Sequence, residues 1–427
     1  MPDSAEEKII AEALTSESAF SLLEELCDNY SSRFAGSEEE REAGEYLAEK
    51  MRNFGLEDVE LLTFEYKGWQ RGDSSLLAVC GEKSREFPCI GLPYSPSGEV
   101  KAELVDLGFG TPAEFSQKEN IIPGKIVLVS AKRPLYARED MHRRDKYRRA
   151  VEAGARGFLW MREEGGHLAE TGGLPHDAGI PAAGISRETG YRLKRLRKSR
   201  DLSVKIESEH SFGPTKSHNV LGRLTGQKGL RDEPRLLAGA HYDGHDIAEG
   251  ALDNGAGTAI VMEAARLLST QQQALGIPVD FVLFAAEEID LVGSGEFANH
   301  QCDDNDYRFM VNLDGGPGRP GGNLGLALQG WPELLSIMED VSSKMSLDMQ
   351  VAVDPGSHSD MYSFSEAGIP SGYFKKMEEM ATGRNWGHTR ADTLDKVDEQ
   401  KLREDALLLA RFLLHLSRVE EWPELQC

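Results

Sequence analysis

Three apolar runs in this chain each end on residues that bind metal ions. Leu236-Leu237-Ala238-Gly239-Ala240 leads into His241-Tyr242-Asp243. Phe281-Val282-Leu283-Phe284-Ala285-Ala286 leads into Glu287-Glu288, and Phe309-Met310-Val311-Asn312-Leu313 into Asp314-Gly315-Gly316. Two more segments carry the same residue types: Ala251-Leu252-Asp253-Asn254-Gly255, ahead of a helical stretch, and Asn385-Trp386-Gly387-His388-Thr389, in a loop. Zinc takes imidazole nitrogen and carboxylate oxygen at about 2.0–2.2 Å, and a catalytic site keeps a position open for water. A carboxylate bridging two ions about 3.5–4 Å apart would hold a shared water of lowered pKa.

Taken singly, each segment is weak. A His-x-Asp at a strand end is often only a polar turn, and a Glu-Glu pair among 72 acidic residues says almost nothing. Asp314 before two glycines is also turn chemistry, and an isolated histidine such as His388 is usually a core or surface residue. The weight lies in the placement, because a solvated acidic face does not set its acids so regularly after consecutive apolar runs. Other chemistries lack their motifs. The chain has no GxSxG elbow and no GxxxxGK[ST] loop, and Gly255-Ala256-Gly257 is too short for a dinucleotide fingerprint.

The elements that must position these residues are strands and helices in alternation. Asn219–Leu224, Arg235–Ala240, Pro278–Ala285 and Arg308–Leu313 read as strands, Asn254–Ser269 as a helix, and about Glu399 to Arg418 as a closing helix. Near-continuous apolar strands alternating with helices predict a sheet covered on both faces and largely parallel. Ligands bind beyond the carboxyl ends of such strands, so parallel strands would bring His241, Glu287, Glu288 and Asp314 to one edge. Towards the N-terminus, helical spacing runs from Glu6 to Leu26. A second helix starts after Ser37 and stops at Gly55, and Val59–Phe64 reads as a strand. From about Trp69 to Gly213 the pattern changes to short strand-like runs broken by Gly and Pro, with a charged stretch from Arg138 to Arg149; this predicts a small α/β or β-rich module.

A chain of 427 residues favours more than one domain. Its net charge of -24 argues against nucleic acid and anionic lipid as partners. Five widely spaced cysteines with no CxxC argue against a disulfide framework or a thiolate zinc site. The acidic N-terminus lacks a basic segment followed by an apolar one, and no apolar run is long enough for a bilayer, so a cytoplasmic protein without a membrane partner is expected.

The ordered set His241-Tyr242-Asp243, Leu252-Asp253-Asn254-Gly255-Ala256-Gly257, Glu287-Glu288-Ile289-Asp290-Leu291-Val292-Gly293-Ser294, Asn312-Leu313-Asp314 and His388-Thr389 with Asp392-Thr393-Leu394 resembles the zinc aminopeptidase and glutamate carboxypeptidase family, metallopeptidase family twenty-eight. Ser32-Arg33-Phe34-Ala35-Gly36-Ser37 resembles that family's N-terminal signature. Gly124-Lys125-Ile126-Val127-Leu128-Val129 and Gly179-Ile180-Pro181-Ala182 resemble its protease-associated insert.

The resemblance implies an α/β fold: a mainly parallel, mixed central sheet flanked by helices, of the zinc-peptidase (phosphorylase/hydrolase-like) kind. A small β-rich protease-associated domain at 69–213 would interrupt a peptidase domain formed by 1–68 and 214–427. It implies two zinc ions, one on His241, Asp253 and Asp314, the other on Glu288, His388 and the bridging Asp253. Glu287 would be the general base, and Asp243 would orient His241 by accepting its imidazole N–H. It also implies a cis bond at Asp253–Asn254, a peptide substrate and a possible homodimer. The expected activity is release of N-terminal residues from short peptides. A dipeptidase or carboxypeptidase on the same site is the alternative, for which Arg384 and Arg390 flank the metal loop; a metal-free receptor-like protein is disfavoured because every ligand is present. Two departures stand out. Relatives often carry Ser-Asp-His where this chain has Ser359-Asp360-Met361, and some place Tyr where this chain has Gly387. His358, Tyr362 and Trp386 are then the candidates for stabilising an oxyanion.

Overall fold

The computed structural model describes residues 3–132, 134, 141–199, 202–227, 234–301, 307–316, 318–319, 323–376 and 386–423. The chain divides into two compact units. The first is Met1–Tyr66, Thr215–Gly387 and Asp392–Cys427; the second is Lys67–Pro214 with His388–Ala391.

The first unit is built on an eight-stranded sheet: β1 (Glu57–Gln70), β2 (Ser211–Leu224), β3 (Arg235–His241), β4 (Val279–Phe284), β5 (Tyr307–Leu313), β6 (Leu324–Leu328), β7 (Val351–Val353) and β8 (Ser371–Lys376), in the spatial order β1-β2-β4-β3-β5-β8-β6-β7. The pairs β3/β4, β3/β5, β5/β8 and β6/β7 are parallel, whereas β2/β4 and β6/β8 are antiparallel. The central strands β4, β3 and β5 are buried almost throughout, as expected where helices cover both faces. Register aligns Ala240 with Leu283 and Gly239 with Asn312. The carboxyl ends of the three strands therefore finish level, at one edge of the sheet.

The N-terminal helical stretch is two helices, α1 (Ser4–Ala13) and α2 (Ser18–Tyr30), rather than one. Ser16 Oγ accepts the N–H of Ser18 at 3.2 Å; such a side-chain bond to the backbone competes with the helical ladder and marks the break. Helix α3 (Glu38–Asn53) starts where expected, with Ser37 Oγ accepting from Glu40 N, and Gly55 follows it with φ +84°. Helix α4 (Ala256–Ser269) buries most of its residues and packs against α6 (Glu399–Ser417), while the short α5 (Met361–Glu366) lies against β5 and β8.

The second unit has its own eight-stranded sheet, in which Gly98–Asp106, Ile126–Ser130, Gly157–Met161 and Ala182–Ile185 run parallel and the other pairs are antiparallel. It carries helices Pro112–Gln117, Arg143–Glu152 and Arg187–Ser199. Its core gathers Leu104, Ile126, Leu128, Leu159, Met161 and Ile185 among others. Among the described residues, no helix is long and apolar enough to cross a membrane.

Candidate metal centre

Strand β3 ends at His241, whose ring is fully buried. Its Nε2 faces Asp253 Oδ1 and Asp314 Oδ1, each at 3.6 Å, with Glu287 Oε2 at 4.0 Å. These separations exceed a hydrogen bond. They match donors converging on a common cation, since two ligands about 2.0–2.2 Å from a tetrahedral ion stand roughly 3.4 Å apart. The ligand atoms of His241, Glu287 and Asp314 lie within 4.8 Å of one another. The other face of the imidazole is fixed too: Nδ1 lies 3.1 Å from the Asp243 main-chain carbonyl and 3.4 Å from its carboxylate. Nδ1–H therefore donates chiefly to the carbonyl, and Nε2 is the nitrogen turned towards the cluster. The donor set of imidazole and carboxylates, shielded from solvent, fits zinc.

Asp243 has a further task beside the partnership with His241 that the resemblance implies. Its carboxylate accepts the backbone N–H of Glu287 at 3.1 Å and of Glu288 at 3.3 Å. It thereby fixes the turn that carries both acids out of β4, where Ala286 adopts φ +59°. Asp392 does the same for the next loop, accepting from Leu252 N at 2.7 Å and Asp253 N at 3.1 Å. The Asp253–Asn254 bond is cis. Asn254 Nδ2 donates to the Leu313 carbonyl at 2.7 Å, tying this loop to the end of β5 beside Asp314. Thr258 on α4 donates to the His241 carbonyl at 2.9 Å.

The electrostatics are those of crowded carboxylates in a dry place. Burial raises Glu287 well above the usual carboxylate range. His241 opposes this, while Glu288, Asp314 and Asp360 reinforce it. His241 is held well above its ordinary value: burial pulls it down, and Glu287 with Asp243, Asp253 and Asp314 outweigh that. Burial, with repulsion from Asp253, pushes Asp392 up to about 7.

His388 belongs to the short segment grouped with the second unit. There its carbonyl accepts the N–H of Thr171 at 2.9 Å, and its Nδ1 lies 3.2 Å from the Thr171 carbonyl. That bond assigns the proton to Nδ1 and leaves Nε2 as the acceptor side. Gly387, the preceding residue, lies in the first unit against Asp253; a Cβ there would come within 2.8 Å of Asp253 Oδ2. A side chain at this position would have to displace the Asp253 carboxylate. Of the candidate oxyanion donors, His358 and Trp386 are exposed, and Tyr362 is engaged with Glu366. Arg390 is exposed, and Arg384 lies outside the described residues.

Three residues of the site were not given roles from the sequence. Arg33 is fully buried and donates to the carbonyls of Tyr242 at 2.8 Å, Glu249 at 2.9 Å and Gly250 at 2.9 Å, clamping both ends of the loop that links His241 to Asp253. Asp360, fully buried at the start of α5, is pushed to about 7 by burial, with further repulsion from Asp314 and Asp243. His245 places Nε2 at 2.9 Å from Glu288 Oε2. Its signal was a second histidine four positions after His241.

The model of peptidase family M28 matches residues 219–413, and that of the PA domain matches residues 100–193. Aminopeptidase YwaD of Bacillus subtilis is 24% identical over 430 residues, covering 95% of this chain and 86% of that protein. Human carboxypeptidase Q is 25% identical over 411 residues, covering 93% of this chain and 84% of that protein. The crystal structure of a zinc aminopeptidase from Bacillus subtilis superimposes with a TM-score of 0.70 at 23% identity, over 92% of this chain and 93% of that one.

Proposed function

The chain belongs to peptidase family M28 and carries a PA domain, and from that premise we propose that it works with two zinc ions to release N-terminal residues from peptides. It is a zinc metallopeptidase of the exopeptidase kind. The observation that carries the finer reading is the convergence of His241, Asp253, Asp314 and Glu287 within 4.0 Å of one imidazole nitrogen.

In this reading His241, Asp253 and Asp314 hold one ion. Glu288, His388 and the bridging Asp253 hold the other. Bound zinc would acidify a water and polarise the scissile carbonyl. Glu287 is placed to act as the general base, accepting a proton from the attacking water and returning it to the leaving amine. Asp243 and Asp392 keep Glu287, Glu288 and Asp253 in register, so little reorganisation is left for the reacting state. The acidic character of the site is complementary to a free ammonium, which favours the amino end of a peptide. The relatives include both an aminopeptidase and a carboxypeptidase, so the terminus is the point to test.

The test is metal content together with hydrolysis of Leu-p-nitroanilide and of an N-acetylated peptide, in wild type and Glu287→Gln. The expected result is two zinc ions in both proteins, cleavage of the free-amine substrate only, and activity lower by about 10²–10⁴-fold in the variant, the usual worth of a general base. Cleavage of the blocked peptide transfers the assignment to the carboxyl end. A variant as active as wild type removes Glu287 from the mechanism.

A further inference from the structure

The buried ligand-type groups of the first unit separate into two sets. His241 Nε2 faces Asp253, Asp314 and Glu287. Glu288 faces a different imidazole, that of His245, with Nε2 at 2.9 Å from Oε2 and both side chains buried. A sequence-based ligand set has no place for His245, yet the fold goes to some length to put it there.

The loop between His241 and Asp253 is pinned at both ends by Arg33, through the carbonyls of Tyr242, Glu249 and Gly250. Within the loop the His245 carbonyl accepts the N–H of Ile247 at 2.8 Å, which makes a tight turn. Gly244 is pressed so closely that a Cβ would meet Ser32 O at 3.0 Å and Asp253 O at 3.1 Å. The His245 ring is stacked against Phe34, centroids 6.3 Å apart at 27°. Phe34 is itself buried and adjoins the clamping Arg33. An imidazole held from its backbone and its face has few rotamers left, and the one it has points Nε2 at a carboxylate that the two-zinc reading already assigns to the second ion.

We infer that His245 is an additional imidazole ligand of the ion held by Glu288. The inference rests on the two-zinc reading. The chemistry follows from the donor types. A neutral imidazole beside a carboxylate is a pair that zinc binds readily. The 2.9 Å separation is a close contact rather than a hydrogen bond, and it opens by only about 0.5 Å to the roughly 3.4 Å spacing of two ligands on one tetrahedral ion. A fourth protein donor makes the second ion harder to lose, so the two ions should not resemble a tight and a loose pair.

The experiment is zinc stoichiometry and affinity by chelator competition on the full chain, with zinc X-ray absorption to count imidazoles, for wild type, His245→Ala and the closer-shaped His245→Gln. Circular dichroism checks that the variants fold. The expected wild type holds two ions that share about three imidazoles; both variants keep one ion unchanged, bind the other at least tenfold more weakly, and share about two imidazoles when saturated. If both variants bind both ions as wild type does, or the imidazole count is unchanged, His245 is not a ligand and the two-zinc reading is untouched. If His245→Gln restores affinity fully, His245 acts only as a polar neighbour of Glu288, and the inference is overturned. A wild type that holds one ion overturns the two-zinc reading and this assignment with it.

Discussion

Replacing Asp243 by Ala separates two ways in which a carboxylate can serve a metal site. The Asp243 oxygens accept the N–H groups of Glu287 and Glu288 at 3.1 and 3.3 Å, in a place with no solvent access. Alanine leaves two buried donors without an acceptor. Each costs about 1–3 kcal/mol, so the variant should lose roughly 2–6 kcal/mol of unfolding free energy. The His241 imidazole loses less, because its Nδ1–H keeps the main-chain carbonyl of residue 243 at 3.1 Å. Its zinc affinity should fall at the low end of the effect of removing such a supporting partner, about tenfold. The assay is urea unfolding of the zinc-loaded and chelator-stripped protein, with zinc affinity measured alongside. Because the loss arises in the backbone of the Glu287–Glu288 turn, it must appear in both forms. Asp243→Asn, which retains one oxygen, should lose about half as much. A loss confined to the loaded protein would mean that Asp243 acts through the metal, and the backbone argument would be wrong.

Two further outcomes are expected. Burial and the Asp253 charge raise Asp392 from 3.8 to about 7 in the folded, metal-free protein. The folded state thus binds this proton more tightly than the unfolded one, so the contribution is complete below about pH 4 and lost as pH rises through about 7, at about 1.4 kcal/mol per unit at most. Stripped wild type should be less stable at pH 8 than at pH 5, and Asp392→Asn should flatten that slope; equal stability of stripped wild type at the two values refutes it. Gly257→Ala would bring a Cβ to 2.3 Å from both the Leu313 carbonyl and Asn254 Oδ1, whereas Gly213→Ala meets nothing within 4 Å. The first should lower stability by at least about 2 kcal/mol and the second should be near neutral in thermal unfolding. Equal behaviour of the two would refute the close-packing argument.

The sheet was legible because its evidence is local. Each of β3, β4 and β5 is an apolar run with a polar terminus, and a parallel arrangement is the ordinary consequence of helices between such runs. The break between α1 and α2 was not, because apolar spacing continues across it and only the Ser16–Ser18 bond marks the end. The inserted unit was legible as a change of style. The choice between an α/β and a β-rich module stayed open in the sequence, because it depends on pairing between distant strands, such as Ser74–Cys80 with Ser203–Ser208, which spacing cannot show.

Within the site, ligands and supports differ in how they can be read. A ligand needs one residue type at one strand end, and sequence displays that. A support is defined by what it grips, and here the grips are main-chain atoms: Asp243 on Glu287 N and Glu288 N, Asp392 on Leu252 N and Asp253 N, Arg33 on the carbonyls of Tyr242, Glu249 and Gly250. Any residue offers the same N–H and C=O, so the partner leaves no mark in the sequence. The carboxylate that binds backbone is also chemically identical to the one proposed to bind metal. Asp243 and Asp253 could be told apart only by where their oxygens point. His245 is the converse case, a ligand-type side chain whose position depends on a turn and on Phe34 rather than on a strand end. The scatter of acids around the metal loops is therefore not redundancy. Two of them, Asp243 and Asp392, are placed to hold the others still, which is what a site needs if its ligands are to be in position before the metal arrives.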